Sequence, residues 1–277
     1  MFLAILAALN GGLVAVVRAT HVDIPSPTSV VFPIVGLGEV VTFGLLIAAT
    51  LIMSKFEHRP FDVYGLPWRD ALRSRLWLGL GSGFAAISLV MLLIFAFGGV
   101  EIAGMATTGI ALLAATVIWA PIFLLVGLSE EFFSRGYAQF TLATGIGFWP
   151  AATLLSLAFG AMHLHNAGET PLGIGAAVVL ALVLCLALRA TGNLWLGVGI
   201  HAGWDWGESF FYGASDSGMM IWRPFLSSRF HGAPFVTGGV AGPEGSAFTL
   251  VVLAAMAAII LARYPTVRSA PGAKAAT

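Results

Sequence analysis

Charge is the scarcest thing in this chain. Lys, Arg, Asp and Glu make up 9% of its 277 residues, against about 25% in a typical soluble domain. A water-soluble fold of this length is thereby excluded. Formal net charge is zero and the pI is about 7.0, so no basic face is available for nucleic acid. The single cysteine, Cys185, allows neither an internal disulfide nor a cysteine-built metal cage. It lies in the apolar run 176–188 and reads as a small core or lipid-facing residue. No basic residue precedes the first apolar stretch, 2–17, and Arg18 follows it, so the stretch reads as a first span and not a removed leader. The Gly-rich segment 238–245 lacks both a preceding strand and a Lys-Ser/Thr pair, which excludes a phosphate loop. Internal repeats are also missing.

What is abundant is apolar length. Hydrophobic residues make up 58% of the sequence and the mean hydropathy is +0.95, which defines an integral membrane protein. A helical span needs about 20 mostly apolar residues to cross about 30 Å of hydrocarbon. Candidate spans are 2–17, 31–53, 76–97, 107–128, 148–162, 172–188, 194–212 and 248–262. The expected fold is therefore all-α, a multi-pass transmembrane helical bundle of about eight spans. Its longer loops are 54–75 and 213–246. Pro121 falls inside the fourth span, where a kink is expected. Asn10 and Glu39, polar residues in early spans, read as helix-packing groups or as facing a cavity.

Lys55, Arg59, Arg69, Arg73 and Arg75 crowd the 54–75 loop, which the positive-inside bias assigns to the cytoplasm. Alternate counting puts Arg135, Arg189, Arg263, Arg268 and Lys274 on the same side, with Arg18, Arg223 and Arg229 as exceptions. Both termini are then cytoplasmic. High alanine and glycine content fits a bacterial cytoplasmic membrane, with the site described below opening to the cytoplasm.

The few ionisable residues cluster in the second half. Glu130 and Glu131 follow directly on the fourth apolar run, with Arg135 one turn on. If the helix continues, Glu131 and Arg135 share a face within ion-pair reach, while Glu130 points about 100° away. One carboxylate is then neutralised and fixed, and the other is free for water or substrate. The alternative is an ordinary surface ion pair at an emerging helix end. In Phe159-Gly-Ala-Met-His163 the aromatic and the imidazole share a helix face, whether for packing or for chemistry. His165 and Asn166 read as boundary residues. In His201-Ala-Gly-Trp-Asp205, i,i+4 spacing puts imidazole and carboxylate on one face inside a span, with Asp205 holding one imidazole tautomer. Gly197, Gly199 and Gly203 permit close approach of another helix. Glu208, one further step along, either lines the same cavity or marks the helix end. Ionisable groups at membrane depth are costly and mark function by default, and Glu with His is a pairing that activates water.

Two chemistries stay open. In a metal-free one, Glu130 and His163 polarise a water while His201 and its neighbour stabilise an oxyanion. In the other, Glu130, His163 and His201 form an open three-ligand zinc site. No His-Glu-x-x-His occurs, and no two histidines have i,i+4 spacing, which favours the first; no cofactor is expected, with zinc as the alternative.

At these residues the chain resembles the CPBP family of intramembrane proteases (CAAX protease and bacteriocin-processing, or Abi). The family pattern Glu-Glu-x-x-x-Arg, Phe-x-x-x-His and His-x-x-x-Asn/Asp reads here as Glu130-Glu131-Phe-Phe-Ser-Arg135, Phe159-Gly-Ala-Met-His163 and His201-Ala-Gly-Trp-Asp205. Thr191-Gly-Asn-Leu-Trp195 and Gly242-Pro-Glu-Gly-Ser246 also look like the family's flanking segments. The similarity covers 118–262. It implies a CAAX-protease-like glutamic or metallo endopeptidase acting on a membrane-associated peptide or protein in the lipid bilayer. It implies Glu130 as base with His163, Glu131 and Arg135 holding the geometry, and His201 and Asp205 at the oxyanion. The CAAX-processing enzymes carry Asn where Asp205 stands. Ionised Asp cannot donate a hydrogen bond, so Asp205 is either protonated or acts by orienting His201.

The expected organisation is N-terminal spans and a cytoplasmic loop over 1–105, a catalytic membrane domain over 106–263 and a flexible tail over 264–277. Competing readings are a proton-coupled transporter, disfavoured by polar groups confined to one half, and a non-catalytic scaffold. One tension is depth. At about 1.5 Å per residue, His201 lies about 10 Å and His163 about 22 Å from the cytosolic face. An irregular segment over 136–147, dipping into the membrane, is the expected remedy.

Overall fold

The apolar runs fold into a bundle whose innermost member is the helix carrying His201. The computed structural model describes residues 1–19 and 32–264; the expected tail, apart from Tyr264, lies outside them, as do Arg268 and Lys274. In chain order the elements are α1 (Phe2–Ala19), α2 (Phe32–Phe56), α3 (Ser74–Ala96), β1 (Val100–Met105), α4 (Gly109–Arg135), α5 (Tyr137–Ile146) and α6 (Phe148–Met162). There follow α7 (Pro171–Thr191), α8 (Trp195–Asp205), β2 (Leu226–Phe230), α9 (Pro234–Thr237) and α10 (Ala247–Arg263). Each expected span coincides with a helix. Four stretches, Val35–Phe56, Ser74–Ala96, Gly109–Ile146 and Pro171–Thr191, are long and apolar enough to cross a membrane. With 15 and 11 residues, α6 and α8 are shorter than a crossing requires.

Every residue of α8 is buried, as an all-round apolar helix inside a bundle must be. It packs against α3 backbone to backbone. A Cβ added at Gly203 would come within 2.2 Å of the Leu80 carbonyl, and one at Gly83 within 2.0 Å of the Ile200 carbonyl. Only glycine allows that approach. On the other side Gly127 of α4 meets Val198 and Ala202. Ile87, Val90 and Ile94 of α3, Leu184 and Ala187 of α7, Ile200 and Trp204 of α8, and Leu253 of α10 form one continuous core.

Local chemistry sets the helix ends. Thr170 caps α7 by accepting from Gly173 N at 3.1 Å, with Pro171 at the first helical position. Gly192, at φ 78°, closes α7 in the left-handed region. Ser246 caps α10. Pro121 lies within α4, which stays helical through it.

Three expectations change. The segment 136–147 is not irregular: after a break at Gly136, residues Tyr137–Ile146 form α5. Tyr137, Phe140 and Phe148 pack with Tyr64, Leu66 and Leu194, so aromatic burial supplies what favours a helix there. The seventh expected span, 194–212, changes winding at its end, because Trp206–Phe211 continues α8 as a π-helix. Finally, β1 and β2 form a two-stranded antiparallel ribbon, with Val100 opposite Phe230 and Glu101 opposite Arg229.

The basic 54–75 loop folds back over the start of α8. Trp195 Nε1 donates to the Pro67 carbonyl at 3.0 Å, and Leu194 N to the Gly65 carbonyl at 2.9 Å. Tyr64 and Tyr137 both donate to Glu57.

Candidate active site

Glu131 is the hub of the buried polar centre. It is 0% exposed, and its Oε1 accepts from Arg135 Nη1 at 2.6 Å and from His201 Nδ1 at 2.8 Å. The helix does continue through Arg135, and that places the two i,i+4 partners on one face. Arg135 is itself only 1% exposed, so this is a buried pair and not the surface pair of the alternative reading.

Glu130, one residue back, faces elsewhere. Its side chain is 41% exposed and its Oε2 lies 3.6 Å from His201 Nε2. Asp205 Oδ2 is also 3.6 Å from Nε2. His201 thus gives one nitrogen to Glu131 and turns the other towards two carboxylates. The tautomer is held by Glu131, whereas the sequence assigned that task to Asp205; the latter's separation from Nε2 exceeds a hydrogen bond.

Phe159 occupies the middle of the site. The Arg135 guanidinium lies 4.8 Å over its ring. The His163 ring is 4.7 Å away and the His201 ring 6.4 Å, the latter edge-on. His163 Nδ1 donates to the Phe159 carbonyl at 2.8 Å. A carbonyl only accepts, so in the neutral ring Nε2 is left as an acceptor. Among the described residues no hydrogen bond or ion pair joins His163 to Glu130. Both, with His201 and Asp205, line one cavity of about 160 Å³, which is room for several waters. Two histidines at different nominal depths thus meet one cavity.

A second, more open groove of about 820 Å³ reaches Glu130 and His163 from the side, past Leu3, Leu6, Leu45, Leu46, Phe133 and Met162. Residues from 213–246 roof the inner cavity. Ser209 donates to Asp216 Oδ2 at 3.1 Å, and Ser217 N and Oγ donate to Glu244 Oε1 at 2.8 and 2.9 Å. Burial and the adjacent Glu244 carboxylate push Asp216 up to about 7. Glu244 is likewise pushed up to about 7, mainly by burial, against the lowering effect of Ser217. Glu208 does not line this cavity. It is fully buried and accepts from Trp204 Nε1 at 2.8 Å and Glu244 N at 3.1 Å, tying the roof to α8.

Sequence reasoning missed Glu169, Asp216 and Glu244 as cavity groups, and it left Glu39 undecided; all four line the cavity. Intramembrane position was the only signal available, and it singles out Glu39 alone. Among the described residues no three His, Cys, Asp or Glu side chains are grouped to hold a metal ion. His163, turned to the Phe159 carbonyl, is not joined to Glu130 and His201 in such a group.

Fold and site together define a polytopic helical membrane protein with a buried carboxylate–imidazole centre. Residues 112–207 match the family model described as Rce1-like, type II CAAX prenyl endopeptidase Rce1-like. That stretch contains Glu130, Glu131, Arg135, His163, His201 and Asp205, and over it the chain is similar to the CPBP/CAAX protease family. Comparison with curated proteins and with solved structures finds no match.

Proposed function

We propose that this chain is an intramembrane endopeptidase that hydrolyses peptide bonds of membrane-associated substrates with a water activated by Glu130 and His163. The observation that carries the reading is Glu130 Oε2 at 3.6 Å from His201 Nε2, on the wall of a cavity that His163 also lines. Glu130 and the Nε2 lone pair of His163 draw a proton from water as it adds to the carbonyl carbon. His201, with a proton on each ring nitrogen and Nδ1 anchored to Glu131, offers Nε2–H to the forming oxyanion. Asp205 steadies that donor, a role that Asp fills without donating a hydrogen bond. Collapse of the tetrahedral intermediate passes the proton from the base to the leaving amine. This reading routes no step through zinc; among the described residues no three ligating side chains are grouped to hold it.

Substrate reaches Glu130 laterally in this reading, through the groove lined by α1, α2, α4 and α6. With the basic 54–75 loop in the cytoplasm, the 213–246 roof lies at the far end of α8. Lateral access through that groove is the route proposed here, beside the opening to the cytoplasm expected from sequence.

The test is cleavage of a membrane-tethered, fluorescence-quenched peptide by protein in liposomes. Glu130→Gln and His163→Ala each lower turnover by at least about a thousandfold, the scale of losing one catalytic group, with unchanged helicity and elution volume. Full turnover by both variants overturns the mechanism; turnover that disappears with a chelator and returns with zinc overturns its metal-free form.

A further inference from the structure

Six carboxylates line the cavity: Glu39 from α2, Glu130 from α4, Glu169 between α6 and α7, Asp205 from α8, and Asp216 and Glu244 from the roof. Among the described residues no lysine or arginine lines it, and its basic groups are His163 and His201. Arg135 is taken up by Glu131. The hydrolytic steps proposed above leave Glu39, Glu169, Asp216 and Glu244 without a task. The hydrogen bonds from Ser209 and Ser217 aim the roof carboxylates but bring no positive charge.

Asp205 is an independent pointer. It is 7% exposed and borders the cavity. Among the described residues it receives no hydrogen bond; its one polar contact is the 3.6 Å approach to His201. His201 approaches Oδ2 alone, and among the described residues Oδ1 has no partner; an unpaired buried carboxylate oxygen is costly, and a donor arriving with the ligand relieves that cost. The walls also carry Trp119, Trp204, Phe123 and Phe159, ring faces suited to an organic cation. A bare divalent ion is a poorer fit, since among the described residues no three ligating groups converge.

We infer that the cavity recognises a lysine or arginine side chain of the substrate next to the scissile bond, held by the Asp216–Glu244 roof. This inference deepens the proteolytic reading and rests on it for the identity of the ligand as a peptide.

Binding and cleavage can be read separately. Dye-labelled peptides with a ketomethylene group in place of the scissile amide, differing at one residue (Lys, Arg, norleucine or Glu), are titrated onto the full chain in phosphatidylcholine nanodiscs. Each is prepared with a free and an acetylated amino terminus. The Lys and Arg peptides bind at least about tenfold tighter than norleucine, Glu binds weakest, and acetylation changes nothing. In Asp216→Asn/Glu244→Gln the Lys-to-norleucine ratio falls towards one. Should that double variant fail to reconstitute, Glu169→Gln gives a smaller shift in the same direction. Equal binding of Lys and norleucine, a preference that follows the free terminus, a ratio unchanged in the variants, or displacement of the Lys peptide by millimolar calcium each overturns the inference. Amide counterparts that bind with this preference yet stay intact refute proteolysis alone; cleavage without charge preference refutes the charge inference alone.

Discussion

Nδ1 of His201 and Oε1 of Glu131 stand 2.8 Å apart, and the same oxygen takes Arg135 at 2.6 Å. The His201 imidazole is therefore oriented from α4, by the carboxylate next to the one that faces water. Removing one partner of a buried ion pair strands a charge and costs about 3–5 kcal/mol. Glu131→Leu alone is expected to lose stability on that scale in detergent unfolding curves. Adding Arg135→Met restores much of the stability, because an apolar pair fits where an ion pair stood. Turnover is not restored in the double variant, since His201 has lost its anchor.

Phe159 meets Arg135, His163 and His201 at once. Phe159→Leu keeps bulk but loses the ring face and edge, worth about 0.5–1.5 kcal/mol per aromatic contact. The expected outcome is a fall in kcat of about tenfold to a hundredfold with KM little changed, read in the liposome cleavage assay.

The contact between α3 and α8 sets the depth of His201 in the bundle. A Cβ at Gly203 would lie 2.2 Å from a backbone oxygen, which has no flexible end to yield. Gly203→Ala is expected to destabilise by about 1–3 kcal/mol, as overpacking does, and to lower the melting temperature by several degrees. Gly81 sits on α3 with nothing within 4 Å of an added Cβ, so Gly81→Ala leaves the melt unchanged.

The roof should make stability depend on pH. Asp216 moves from 3.8, and Glu244 from 4.5, up to about 7 in the fold. Between about 4 and 7 the folded chain therefore binds more protons than the unfolded one. Stability then falls as pH rises through that window and is lowest above it. Melting temperature measured from pH 5 to pH 8 should decline, and Glu244→Gln should flatten the decline while raising the pH 8 value by a few degrees. Equal slopes in wild type and variant would sink the assignment.

Span positions were legible because a helix in hydrocarbon must be almost continuously apolar, and runs such as those within α3 and α7 leave no other reading. The Glu131–Arg135 pair was legible from i,i+4 spacing once the helix was taken to continue. The α5 segment was not, because its ten residues have neither the length of a span nor strong amphipathicity. Tyr137 and Phe140 become helical by packing on Tyr64 and Leu194, residues remote in sequence. The β1–β2 ribbon escaped for a similar reason, since its two strands lie more than a hundred residues apart and pair only across the fold.

By itself the amino-acid order determined that the protein is a membrane-embedded helical bundle and which few polar residues must be accounted for. Both follow from solvation, since each uncommon charge in an apolar run is visible as an expense. Only the tertiary structure decided which of those charges neutralise one another and which stay open to water. Glu130 and Glu131 are adjacent and chemically identical, yet Glu131 meets a guanidinium and an imidazole in a buried interface and Glu130 a cavity. The remote placement of Glu39, Asp216 and Glu244 on that cavity's wall follows from how the helices lean together, for which no local pattern codes.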